Sequence, residues 1–325
     1  MIIDPASTLT GIARKMRDIF KNLLYHNFDG TPLFRNKECI NMAAFKIVTD
    51  SCCDFNTEMY QQYDVGCANL SVLYKGVLHE NFSDDARMKE LYDGIRGGEM
   101  PTTSAANPEG WCNVMRPALD EGKDVLAICF SSGLSTTYQS AVIASAELQE
   151  CYPDRKVIVI DSLCAALGQG LLVWHACQHR DAGESLEEVA AWVEANKLNV
   201  CHWVTVDDLF HLKRGGRVSA TTAIVGSMLN IKPIIKVDND GKLQSVAKAR
   251  GRKAAIDTLI KKVGEASDKD TVFIAHGDCL EDAEALAAAI KEKHGVKNVH
   301  IGYVGAVIGA HTGPGVLVAF FMGKR

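Results

Sequence analysis

The feature that most limits what this chain can fold into is an alternation. Short β-rich runs (FKIVTDS, CANLSVLY, DVLAICFSS, KVIVIDS, NVCHWVTV and TVFIAHGD) are separated by stretches of helical pattern. Those stretches include SAVIASAELQEC, SLEEVAAWVEANK, RGRKAAIDTLIKKVGEA and LEDAEALAAAIKEKHG. A strand that is apolar along its whole length is buried on both faces, and strands that alternate with helices form parallel sheets covered by those helices. The expectation is an α/β fold whose main body begins at Phe45. The C-terminal third has a different texture. KPIIKVD and KLQSVAK bracket Asn239-Asp240-Gly241, a strong hairpin signal. It predicts a second, smaller sheet with antiparallel character. One division consistent with both signals gives an α/β domain over 45–205 and a smaller α/β domain over 206–325.

Residues 1–44 stand apart as an extension. Ile12, Met16, Ile19, Phe20 and Leu23 fall at helical spacing, with Arg14, Lys15, Arg17 and Lys21 filling much of the other face. This reads as an amphipathic helix for packing or dimerisation. Its positive charge is modest for a membrane-surface helix.

Composition narrows the function classes. Of the 325 residues, 47% are hydrophobic and 23% charged, as in ordinary globular proteins. A formal net charge of −5 offers no electrostatic case for nucleic acid or an anionic membrane. No apolar run reaches the roughly 18 residues of a membrane span, and the N-terminus lacks the order of a secretory signal. The 11 cysteines are odd in number and form no CxxC motif. That argues against a zinc site or a disulfide framework and for a reducing cytoplasm. Asp and Glu show no spacing that demands a metal.

In an open α/β sheet, ligands bind beyond the carboxyl ends of the strands. Hydroxyl and acidic residues gather where those ends should be: Thr49, Asp50 and Ser51; Ser131, Ser132 and Ser135; Asp161 and Ser162. Thr102, Thr103 and Ser104 precede another helix. Helix capping explains Ser104 or Ser162 taken alone. Capping does not require hydroxyls at so many strand ends, whereas helix N-termini sharing one crevice would bind a carboxylate or phosphate.

A serine-dependent hydrolase or acyltransferase is the alternative. Gly133-Leu134-Ser135-Thr136-Thr137 lacks the second glycine of a nucleophile elbow. His311 would have to be brought to Ser135 by the fold, and no acid stands out to orient it. His311 itself lies in His311-Thr312-Gly313-Pro314-Gly315, expected as a rigid loop before the last apolar strand. Lys213-Arg214-Gly215-Gly216-Arg217 is not a Walker motif; it reads either as a solvated turn or as a docking surface for an acidic or phosphate-bearing partner. Asp207 and Asp208 fit a helix start.

Six stretches taken in series carry a resemblance: KIVTDSCCDF, MPTTSAANPEGW, ICFSSGLSTTYQSA, VIVIDS with ALGQGLL, LKRGGRVSATTAIVGSMLNIKPI, and GAVIGAHTGPG. Together they resemble the DegV family of bacterial fatty-acid-binding proteins over most of 45–325. The resemblance implies a two-domain α/β protein, with no cofactor, holding a long-chain fatty acid such as palmitate between its domains. It implies that Thr103 and Ser135 hold the carboxylate, with Ser104 beside them, and that His311 helps close the site. Some members act as acyl carriers for a separate fatty acid kinase, and the segment containing Arg217 resembles the region that meets it. Departures are visible. Thr136 stands where the family's LSGT has glycine, the usual TSQPS reads Thr103-Ser104-Ala105-Ala106-Asn107, and 1–44 has no counterpart in the short form. The physics suits a carrier. An acyl chain of about 15 methylenes gains roughly 12 kcal/mol gross on burial, and ordering removes much of that. Neutral donors then need only orient the carboxylate.

Overall fold

The computed structural model describes residues 45–82, 84–207, 209–218 and 230–325. The expected helix in 1–44, Asp208 and part of the Arg217-containing family stretch lie outside the described residues. Ala43–Arg325 is one compact unit.

The first half is wound around a parallel sheet. Its strands are β1 (Phe45–Asp50), β2 (Val65–Ala68), β6 (Asp124–Cys129) and β7 (Val157–Asp161), in the order β2-β1-β6-β7. β1 and β6 are almost wholly buried, which is why both read as continuous apolar runs. A small antiparallel sheet, β4-β3-β5, sits beside it: β3 (Ser71–Tyr74), β4 (Val77–Glu80) and β5 (Thr102–Ser104). CANLSVLY, expected as one strand, is therefore two, broken at Asn69-Leu70 where the chain changes sheets. The helices here are α1 (Thr57–Gln62), α2 (Asp85–Arg96), α3 (Pro108–Asp120), α4 (Thr137–Cys151), α5 (Leu167–Asp181) and α6 (Leu186–Asn196). α6 starts on a full capping box between Ser185 and Glu188.

The second sheet is the larger in strands, not the smaller. It runs β10-β9-β8-β13-β11-β12: β8 (Val200–Thr205), β9 (Ile231–Val237), β10 (Leu243–Arg250), β11 (Thr271–His276), β12 (Asn298–Tyr303) and β13 (Leu317–Met322). Its antiparallel character and the β9–β10 hairpin are as expected; β11 and β12 alone pair in parallel. β8 pairs with β13 and β9, so the sheet change falls before Val200. The remaining α-helices among the described residues are α7 (Phe210–Arg214), α8 (Arg252–Val263), α9 (Leu280–His294) and α10 (Ala306–Thr312). Along β13 alternate residues part ways. Leu317, Ala319 and Phe321 join the core of α8 and α9, while Val318 and Phe320 join the core shared with α5.

Candidate functional site

Ser131 begins the site. Its N–H donates to Cys164 O at 3.1 Å, and its Oγ donates to Gly241 O at 2.8 Å, tying the loop after β6 to the β9–β10 turn. The chain then turns, with Ser135 N–H donating to Ser131 O at 3.1 Å. Ser135 Oγ accepts from Thr137 N–H at 3.2 Å and shares a hydrogen bond with Thr137 Oγ1 at 2.9 Å. Ser135, one residue before the N-cap Thr136, thus satisfies the first N–H of α4 while facing a cavity. Thr136, in the place of the family glycine, has φ −82° and makes no side-chain cap bond. Any residue adopts that backbone conformation, so no glycine is needed for the turn.

Thr103 comes from β5, paired with Val72 of β3. Its Oγ1 lies 2.8 Å from His311 Nε2. His311 is in the last turn of α10, not in a loop as the glycine-rich sequence suggested. Burial, with Arg217 and Arg214 nearby, pushes its pKa down to about 4, so the ring is neutral at pH 7. Its Nδ1 is buried with no hydrogen-bond partner among the described residues.

The basic segment is what makes this approach fit. A Cβ on Gly215 would lie 2.2 Å from His311 Nδ1. Arg214 donates to Pro101 O at 3.3 Å and to Ala310 O at 2.9 Å, stapling α7 to the start of β5 and to α10. Arg217 donates from Nη1 to Gly215 O and from Nε to Leu134 O at 3.2 Å. Contact by contact, Thr103, His311, Gly215, Arg217, Leu134 and Ser135 form one connected cluster. Arg217, remote from the hydroxyls in sequence, is half-buried and lines the same cavity.

That cavity measures about 470 Å³, inside the range of small-molecule sites. Thr103, Ser104, Ser132, Ser135, Arg217 and His311 line it, and so do Val204, Ile235, Val237, Val318 and Phe320 from the larger sheet. The other expected hydroxyl groups serve the scaffold instead. Thr49 Oγ1 donates to Ile128 O at 2.7 Å, and Asp50 accepts from Phe130 N–H at 2.6 Å and Cys52 N–H at 3.0 Å. Asp161 accepts from Ser132 N–H at 3.1 Å and Ser162 from Cys164 N–H at 3.1 Å. They hold the loops that carry the lining residues. Ser132, one of the hydroxyls expected at the strand ends, lines the cavity, whereas the sequence singled out no residue of the sheet wall. β8 and β13 are buried on both faces, so no alternation in the sequence marks the face that lines the cavity.

The nucleophile alternative gains nothing from this geometry. His311 Nε2 is engaged by Thr103, its Nδ1 meets no acid, and Ser135 Oγ is engaged by Thr137. No group of His, Cys, Asp and Glu among the described residues is arranged to hold a metal ion. No described helix is long and apolar enough to cross a membrane.

A mostly apolar cavity with one polar cluster, drawn from β5, α10, the loop after β6 and the segment after α7, has the shape and chemistry to take an amphiphile in an α/β protein. Comparison with known proteins makes this specific. The DegV family model, described as "Uncharacterised protein, DegV family", matches residues 44–324. A DegV domain-containing protein of Clostridium perfringens is 42% identical over 286 residues, covering 87% of this chain and 98% of its own length. The chain belongs to the DegV family. Among solved structures, a DegV family protein from Thermus thermophilus, described by its fatty acid binding, is 30% identical with a TM-score of 0.77. The match covers 86% of this chain and 99% of that one. A stearic-acid-binding protein from Eubacterium ventriosum is 25% identical, with a TM-score of 0.79 over 86% of this chain and 98% of its own.

Proposed function

We propose that this protein binds one long-chain fatty acid in the cavity and serves, in the cytoplasm, as acyl carrier to a separate fatty acid kinase. The observation that carries the reading is the connected cluster of Thr103, His311, Arg217 and Ser135 on an otherwise largely apolar cavity. Thr103 and Ser135 donate to the carboxylate, Ser104 borders them, and neutral His311 orients Thr103 and closes the site. No carboxylate pairs with Arg217 among the described residues, so a bound acid would supply its counter-charge. The half of Arg217 outside the cavity wall, with exposed Gly216 and Lys213, is where a kinase would dock. The binding energy comes from the tail, at about 0.8 kcal/mol per buried methylene.

Native mass spectrometry of freshly purified protein tests the binding. The expected result is a mass excess of one long-chain acid per chain. Protein that carries no lipid, and whose melting temperature no added long-chain acid raises, would overturn the reading. Acyl-phosphate formation with ATP and a purified fatty acid kinase tests the carrier role; hydrolysis of chromogenic acyl esters abolished by Ser135→Ala would favour the hydrolase instead.

A further inference from the structure

Strand register orders the sheet wall of the cavity. Val204 of β8 stands opposite Ile235 of β9 and Val318 of β13. Two residues along, His202 stands opposite Phe320, on the same face. All five line the cavity. The next pair on that face, Val200 and Met322, is buried in the core and does not line it. The cavity therefore stops, along the strands, at the row of His202 and Phe320.

His202 is the one titratable side chain in this row, and its two nitrogens are turned away from ligand chemistry. Nδ1 lies 3.0 Å from Val200 O, and Nε2 accepts from Ala165 N–H at 3.1 Å. That pairing fixes the neutral tautomer with its proton on Nδ1. Burial, then the charge of Arg325, holds the imidazolium form far out of reach. What remains for the cavity is the ring itself, set edge-on to Phe320 with centroids 5.3 Å apart at 85°.

One side of the ring is closed by α5, and the backbone carbonyl that its Nδ1 uses is itself fastened by Arg325. A Cβ on Gly168 of α5 would lie 2.2 Å from His202 Nε2 and 2.7 Å from Phe320. Arg325 donates to Val200 O at 2.8 Å, Asp238 O at 2.9 Å and Lys197 O at 3.0 Å, and meets Cys164 Sγ at 3.0 Å. It ties the start of β8 to the β9–β10 turn and to the loop after β7. A ring braced in this way cannot swing aside for a longer ligand.

We propose that the imidazole of His202, clamped by two backbone hydrogen bonds and braced by Gly168 and Arg325, is the stop against which the terminal methyl of the acyl chain rests. His202 thereby sets the longest acid the protein accepts. This inference rests on the fatty-acid reading and adds to it the residue that determines length.

The test is a titration of delipidated full-length protein with saturated acids from lauric to arachidic. In the unaltered protein, affinity rises by up to about fourfold per methylene and then falls once the chain outgrows the cavity. In His202→Ala the optimum moves to acids longer by roughly two carbons, the space freed when a ring is cut to a methyl. Phe320→Leu, which keeps both bonds of His202, moves it in the same direction by less. Ser135→Ala lowers affinity for every acid by one factor and leaves the optimum in place. If the unaltered protein binds none of the acids, the fatty-acid reading fails. If it binds them and the optimum stays put in both His202→Ala and Phe320→Leu, the length stop is overturned while the reading stands. Should His202→Ala fail to fold in a thermal melt, Phe320→Leu decides alone.

Discussion

The two large sheets meet the same cavity with different parts of themselves. The parallel sheet presents the loop that leaves the carboxyl end of β6, carrying Ser132 and Ser135; the antiparallel strands of the other present a face, every second residue of β8 and β13. A loop places a polar side chain wherever its turn allows, and backbone amides satisfy the rest. A strand face admits polar atoms only where each finds a partner, as both ring nitrogens of His202 do. The division teaches that orientation and affinity are assigned to different pieces of backbone, so each should fail separately.

The largest expected effect comes from putting the wrong chemistry on the wall. Val318→Asp places an unpaired carboxylate among apolar neighbours and should cost at least about 3 kcal/mol in stability, with loss of ligand binding. Thermal unfolding and lipid titration check it; a stable variant that still binds would break the division outright. On the loop side, Thr103→Ala and Ser135→Ala should each weaken ligand binding by about 1.5–3 kcal/mol. Both should also lose about 1 kcal/mol of stability, Ser135→Ala because Thr137 N–H loses its acceptor and Thr103→Ala because His311 Nε2 loses its partner. An unchanged melting temperature in either variant would argue against that second role.

Arg217→Ala sharpens the comparison from a third direction. It should reduce affinity by about 1.5 kcal/mol through the lost charge-assisted contact and reduce acyl-phosphate formation further. Unchanged values for both would remove Arg217 from the site.

The smallest effect is in pH. Burial holds His311 and His175 down to about 4 and His202 well below its ordinary value, so the unfolded chain takes up protons below about 6.5 before the folded protein does. Stability therefore falls as pH drops from about 6.5 towards about 4. Asp50, pushed up to about 6 by burial from 3.8, protonates in the folded state first and opposes that fall within its own window. His311→Gln should flatten the loss of melting temperature on acidification and leave the slope above pH 7 unchanged. An identical acid slope in both proteins would mean that His311 is not held neutral.

Much of the scaffold was legible because each signal was local. β1, β6 and β7 announce themselves as apolar runs, and the β9–β10 hairpin carries its turn chemistry in Asp240-Gly241. The break inside CANLSVLY was hidden because a change of sheet depends on partners, not propensity. α10 was hidden because Ala306–Thr312 is short, contains a glycine and has no side-chain cap. Thr103, Ser135 and His311 could be picked out through the family stretches. Arg217 could be picked out too, but not its place: its bond to Leu134 spans 83 residues of sequence. The wall could not be seen at all until register decided which face of β8 turns inward.

The turn between β9 and β10 looks, as Asn239-Asp240-Gly241, like a surface loop that would accept anything. Yet a Cβ on Gly133 would sit 2.6 Å from Asp240 O, and one on Gly241, at φ +71°, would sit 2.1 Å from Ser131 Oγ. Two backbones touch there with no room for a methyl. For protein engineering this reverses the usual choice: a tag or reporter spliced into this inviting turn would prise the hydroxyl loop off its support.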